Sequence, residues 1–127
     1  MILITGGTCQ GKKEFAKIEF LITDADIVSG KKVHDVKDIS GYKAVSDYEY
    51  IVRHNLESGI DSETEYKALR ESNPDIIIIA SEVGCGIIPM EESENTFREE
   101  TGSIMCRAAR DADAVYKVVC GIAKKIK

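Results

Sequence analysis

The sequence predicts a three-layer α/β domain built on a mainly parallel sheet. Three observations carry that expectation. Short apolar runs alternate with amphipathic helical stretches along the 127 residues. The strongest run, Ile76 to Ala80, is apolar without a break, as in a strand buried on both faces of a parallel sheet. The chain also opens as strand, glycine-rich loop and helix: Met1-Ile2-Leu3-Ile4-Thr5, then Gly6-Gly7-Thr8-Cys9-Gln10-Gly11-Lys12-Lys13, then a helical pattern.

The first strand is expected over 1–5. A helix follows over about 11–21, with Phe15, Ile18 and Ile22 at helical spacing. Residues 24–28 read as a short second strand, stopped by Ser29-Gly30, and 31–41 as polar and irregular. A short third strand covers 42–46. A helix over about 48–58 ends at Gly59, which suits a helix stop. Ser62-Glu63-Thr64-Glu65 is a capping-box pattern and starts a helix to about residue 71. Asn73-Pro74-Asp75 makes a turn into the strand over 75–80. Gly84-Cys85-Gly86 and Pro89 mark a loop leaving it. A long helix over about 92–112 turns Phe97, Thr101, Ile104, Met105 and Ala108 to one side. A last strand covers 114–119, and 122–126 adds a short edge. No internal repeat, low-complexity tract or second domain is visible, so residues 1–127 are read as a single nucleotide-binding domain.

Composition excludes several function classes. The net charge is −5, and no basic stripe interleaved with aromatics appears, so nucleic acid is not an expected partner. Ile76 to Ala80 is far too short to span a membrane. The chain begins directly with a strand and a glycine loop, so no signal peptide is expected and the location is read as cytoplasmic. Cys9, Cys85, Cys106 and Cys120 form no C-x-x-C pair, and no His stands at ligand spacing to them, so no zinc site is expected. Cys106 and Cys120 read as small buried residues; Cys9 lies inside the glycine loop.

The loop carries the chemistry. It is nearly G-x-x-x-x-G-K-[S/T], the phosphate loop of nucleotide-binding domains, and makes the fold a phosphate-loop NTPase-like one. Gly6, Gly7 and Gly11 let the backbone curl so that its N–H groups, with those of Thr8, Cys9 and Gln10, point at phosphate oxygens. The helix that follows adds the positive end of its dipole, and Lys12 reaches the terminal phosphates. Lys13 stands where the motif has a hydroxyl that holds Mg²⁺. It is either an ordinary solvated lysine or a point charge on phosphate. ATP or GTP is thus the expected ligand, with any Mg²⁺ dependence weakened by Lys13.

Two carboxylates fall at strand ends, where α/β sheets place ligands. Asp47 would hold Mg²⁺ through water, or simply cap the helix from Tyr48. Glu82 ends the isoleucine-rich strand, where an unpaired carboxylate is costly. His34 and His54 read as ordinary polar residues, and Glu91-Glu92-Ser93-Glu94 as an acidic helix start. Arg98 stands one turn from Glu94 and would pair with it.

Three pieces in the C-terminal half carry a family likeness: Ser81-Glu82-Val83-Gly84-Cys85-Gly86-Ile87-Ile88-Pro89, Phe97-Arg98-Glu99 with Gly102, and Val118-Val119-Cys120-Gly121-Ile122. With the opening strand and loop, the chain resembles the bifunctional adenosylcobinamide kinase/adenosylcobinamide-phosphate guanylyltransferase family of cobalamin biosynthesis. That family carries N-E-V-G-x-G-I-V-P, F-R-D-x-x-G and V-x-x-G-I at these places. Asp47 and Asn55 are spaced like the acid and Asn of its D-C-L-T-x-W-x-x-N segment. The sequence departs from the pattern at Lys13, Ser81, Asn95 and Met105-Cys106. It is also shorter between the second and third strands, where the family has a helix whose His accepts GMP in an H-x-x-x-R-P context. His34 lies there without the Arg-Pro.

The resemblance implies a cobinamide kinase-like transferase that moves phosphoryl from ATP or GTP to the aminopropanol hydroxyl of cobinamide. Lys12 and the loop amides would stabilise the transferred group, and Asp47 or Glu82 would organise metal or the attacking hydroxyl. It also implies a phosphate contact for Arg98 and a homo-oligomer, while the departure at the missing His helix leads to the expectation of no guanylyl transfer in this short form. Two rivals stand beside it: a catalytically impaired nucleotide-binding relative with a regulatory or assembly role, and a structural subunit whose loop is a relic.

Overall fold

The computed structural model describes residues 1–84 and 91–127. The Cys85-Gly86-Pro89 loop and the Ile87-Ile88 half of the family motif lie outside the described residues. Strands β1 (Ile2–Thr5), β2 (Ile27–Ser29), β3 (Ala44–Ser46), β4 (Ile77–Ile79), β5 (Ala114–Val119) and β6 (Ile122–Lys125) form one sheet in the order β2-β3-β4-β1-β5-β6. Every pairing is parallel except the hairpin of β5 with β6. The helices are α1 (Lys12–Glu19), α2 (Tyr48–Ser58), α3 (Ser62–Ser72) and α4 (Glu92–Asp111). The three-layer, mainly parallel α/β architecture read from the sequence is the one observed.

The side-chain period of two divides the core into two layers. On one face Leu3, Val45, Ile76, Ile78 and Val115 pack with α2, α3 and α4; on the other Ile4, Ile77, Ile79 and Val118 pack with Ala16 of α1. Ile76 to Ala80 is buried throughout, so the unbroken isoleucine run reflects a strand covered on both faces. Fully burying each such side chain contributes about 1.5–3 kcal/mol. The chain leaves β1 through α1 on one face and leaves β4 towards α4 on the other, so the carboxyl ends of these neighbours open a crevice.

Several local expectations change. Ile18 is 75% exposed and does not share an apolar face with Phe15 and Ile22. The inward stripe of α1 is Lys12 and Ala16, and Ile18 lies about 200° around the axis from Ala16. Residues Asp24–Asp26 form a single 3-10 turn before β2, because Asp26 accepts the Thr23 N–H at 2.8 Å and closes the backbone there. Helix α3 is capped by Asp61, which accepts the Thr64 N–H at 3.0 Å; Ser62, the expected cap, is buried under α2 instead. Gly59 does end α2, with φ of 70°. Cys106 and Cys120 are exposed. Cys106 is two residues from both Ile104 and Ala108 and so faces away from their buried side, and Cys120 starts the β5–β6 turn with φ of 49°.

Candidate phosphate-binding site

The glycine loop leaves β1 at the crevice and is fixed on three sides. Gly6 has φ of 145°, and a Cβ there would stand 2.3 Å from the Val118 carbonyl oxygen, so the loop turns directly against β5. The Gly6 carbonyl accepts the Glu82 N–H at 3.0 Å, which ties the loop to the chain beyond β4. Gln10 accepts the Cys120 N–H through its side chain at 2.6 Å and the Gly121 N–H through its backbone at 2.8 Å. The Gln10 side chain therefore anchors the loop to the β5–β6 turn. Gly11 enters α1 with φ of 89°, and no described side chain caps the helix. Its first-turn N–H groups are available to an anion.

Lys12 is buried to 8% exposure and folds back on its own loop. Its ammonium donates to the carbonyls of Gly6 at 3.2 Å and Gly7 at 2.6 Å. Loss of solvent lowers its pKa from the ordinary lysine value, while the charges of Glu49, Asp47, Cys9 and Glu82 act in the opposite sense. An ammonium held dry beside carbonyls gains most when a phosphate replaces them.

A cavity of about 290 Å³ opens here, lined by Thr8, Cys9, Gln10, Gly11, Lys12, Lys13 and Asp47 among the residues singled out from the sequence. Larger hollows of about 490 and 520 Å³ lie elsewhere, but neither has the glycine loop in its wall. Asp47 ends β3 with φ of 53°, a conformation a non-glycine residue adopts at a cost of about 1–3 kcal/mol. Its side chain does not cap α2. Instead its Oδ2 accepts from the hydroxyls of Ser29 at 2.9 Å and Ser46 at 3.1 Å. That pair aims the carboxylate at the cavity.

Glu82 and Arg98 stand outside this lining. Glu82 forms an ion pair with Lys117 of β5 at 3.0 Å. The Arg98 guanidinium donates to the Gly84 carbonyl. Its expected partner Glu94 is taken by Arg53 in a two-point contact of 2.7 and 3.2 Å, because α4 turns Glu94 towards α2. His34 and His54 meet ring to ring at 5.1 Å and line another cavity.

Two residues escaped the sequence reading. Glu49 is buried to 8% and accepts the Ser81 N–H at 3.0 Å, beside Lys12. Its spacing three residues before buried Val52 was the available signal, masked by the ordinary preference for an acid in a first helical turn. Lys31 lines the loop cavity from a segment with no regular period.

The fit to Mg²⁺ is incomplete: exposed Lys13 lines the cavity at the position where the motif has a hydroxyl, and Glu14 and Asp47 are the carboxylates in the described lining. Among the described residues no group of three or more His, Cys, Asp or Glu side chains could hold a metal ion. No described helix is long and apolar enough to cross a membrane.

Residues 44–126 match the family model described as cobinamide kinase / cobinamide phosphate guanyltransferase. The chain is 35% identical over 74 residues to the bifunctional adenosylcobalamin biosynthesis protein CobU of Salmonella typhimurium, covering 57% of this chain and 41% of that one. It is 29% identical over 92 residues to the protein of the same name from Escherichia coli, covering 71% and 49%. The chain spans about half the length of the curated relatives it matches. With its glycine loop, parallel sheet and matched C-terminal two thirds, the chain belongs to the cobinamide kinase / cobinamide phosphate guanyltransferase family.

Proposed function

We propose that the chain binds ATP or GTP in the loop cavity and transfers the terminal phosphoryl group to a hydroxyl of cobinamide, as a step of cobalamin biosynthesis. The observation that carries this reading is Lys12, held on the Gly6 and Gly7 carbonyls at the mouth of an uncapped helix. The acceptor hydroxyl attacks the γ-phosphorus, and the bond to the β–γ bridging oxygen breaks. The nucleoside diphosphate leaves with the electron pair, and the hydroxyl proton passes to Asp47 or to water. Lys12 and the loop amides neutralise the charge that moves onto the β-phosphate. Glu82, paired with Lys117, and Arg98 enter this reading as residues outside the cavity lining that hold the chain beyond β4 beside the loop.

A second reading has its own support. Lys13 replaces the metal-holding hydroxyl, which favours a relative that binds nucleotide without turning it over. Titration with ATP and GTP, with and without Mg²⁺ and cobinamide, separates the readings. Phosphorylated cobinamide supports the kinase, binding without product supports the impaired relative, and no binding leaves the relic.

Mg²⁺ is expected to raise nucleotide affinity only weakly in the natural chain. Lys13 is exposed at the cavity, and its ammonium, once turned inward, would repel the cation by several kcal/mol, taking an effective dielectric of about 20 and a separation of about 4 Å. Lys13→Ser should strengthen the dependence, read as affinity with and without the metal. A natural chain that already binds nucleotide only with Mg²⁺ would overturn this.

No covalent GMP–protein adduct is expected. The segment between β2 and β3 contains 3-10 turns, Gly30–Lys32 and Val36–Ile39, and no α-helix. Neither His34 nor His54 lines the loop cavity. Incubation with labelled GTP, denaturation and intact-mass measurement tests it. A GMP-sized increase that disappears in His34→Ala would restore guanylyl transfer.

A further inference from the structure

We infer that Lys31 is a second phosphate-binding cation, facing the loop across the cavity and contacting the outer phosphates of a bound triphosphate. The inference rests on the nucleotide reading above and adds to it a residue outside the loop. Lys12, Lys13 and Lys31 all line the one cavity. Lys12 is committed to carbonyls of the loop, but the Lys31 ammonium has no carboxylate partner among the described residues. It lies over the face of the Tyr50 ring, 4.7 Å from the centroid. That contact is worth little at an exposed site and is readily exchanged for a phosphate oxygen.

The backbone beneath Lys31 is held firmly. Gly30 is buried, and a Cβ there would stand 2.4 Å from the Asp47 carbonyl oxygen. The Lys31 N–H donates to Ser29 Oγ at 3.4 Å, and Ser29 Oγ in turn donates to Asp47. Lys31 is thus built onto the same serine and aspartate that form the far wall, and only its side chain needs to swing. Among the described residues it is also the one shared by the loop cavity and a neighbouring cavity of about 310 Å³ lined by Tyr50 and Arg53. A cation at that junction meets the outer end of a polyphosphate whose inner end sits on α1. Three lysines lining one small cavity also offer a way to neutralise a triphosphate where the hydroxyl ligand of Mg²⁺ is missing.

The test compares phosphate chain length. ATP, GTP, inorganic tripolyphosphate, AMP and GMP are titrated by calorimetry against the natural chain, Lys31→Ala, Lys31→Arg and Lys12→Ala at two salt concentrations. Lys31→Ala is expected to weaken triphosphate and tripolyphosphate binding about fivefold to tenfold, as for loss of one charge-assisted contact. Monophosphate binding should change less than about twofold, and Lys31→Arg should retain most of the affinity. An equal loss for mono- and triphosphates would mean a general structural effect and would overturn the inference. If Lys12→Ala loses binding while Lys31→Ala does not, this inference fails and the loop reading stands. If the natural chain binds none of the five ligands, both fall.

Discussion

Gly6→Ala is expected to lose about 3 kcal/mol of folding stability, and nucleotide binding with it. Two penalties combine. A φ of 145° is one that L side chains rarely adopt, at a cost of about 1–3 kcal/mol. The added methyl would also stand 2.3 Å from the Val118 carbonyl oxygen. That oxygen belongs to the backbone of β5, so no rotamer change relieves the overlap; shifting packed backbone costs about 1–3 kcal/mol more. Urea denaturation should show a midpoint lowered by roughly 1–2 M, given ordinary slopes. Gly59→Ala is the matching control: its φ is 70°, but nothing lies within 4 Å of the added Cβ. It should lose only about 1–2 kcal/mol, the left-handed penalty alone. If Gly6→Ala is no worse than Gly59→Ala, β5 does not restrain the loop as described.

This contrast also explains what could be read from the sequence. Gly59 follows a helical pattern directly, so its role as a stop is local and visible. The β4 isoleucines and the alternation of strands and helices are equally local, and they led to the layers, the parallel sheet and the place of the glycine loop. The part of Gly6 that matters is its approach to Val118, 112 positions away in the sequence. Nothing near Gly6 announces that contact. The same holds for Gln10, whose side chain lies in a phosphate-loop pattern but is spent on the Cys120 N–H.

The site was half legible for the same reason. Lys12 and Asp47 meet at one cavity because the loop leading to Lys12 leaves the carboxyl end of β1 and Asp47 follows that of β3, and strand ends could be located. Lys31 joins them only because Gly30 lets the backbone close on Asp47, which no periodicity encodes. Ile18 and Cys106 failed for a different reason. Their residue types suggest burial, but a phase error of about 200° on a short or one-sided helix puts them in water. Asp61 won the α3 cap over Ser62 because the packing of α3 on α2 had already buried Ser62.

Lys12→Ala should weaken triphosphate binding at least about tenfold, the 1.4 kcal/mol or more of a charge-assisted contact, without a matching loss of stability. The two effects separate because the ammonium is poorly placed for folding. It is nearly dry, and burial lowers its pKa below the ordinary 10.5. Below the folded-state value, both folded and unfolded chains carry the proton and the folded chain bears the full desolvation cost. Between that value and 10.5 the unfolded chain holds the proton more tightly, so the contribution of this residue to stability rises with pH. Lys12→Met, which keeps the buried stem and removes the charge, should therefore be at least as stable as the natural chain at pH 7. Its advantage should shrink as the pH approaches 10.5. Calorimetric titration with ATP and GTP, beside urea denaturation at pH 7 and pH 10, measures both halves. A Lys12→Met chain that binds triphosphate as tightly as the natural one would remove Lys12 from the site. One that binds weakly only because it is partly unfolded would show that the ammonium serves the loop's own carbonyls rather than a ligand.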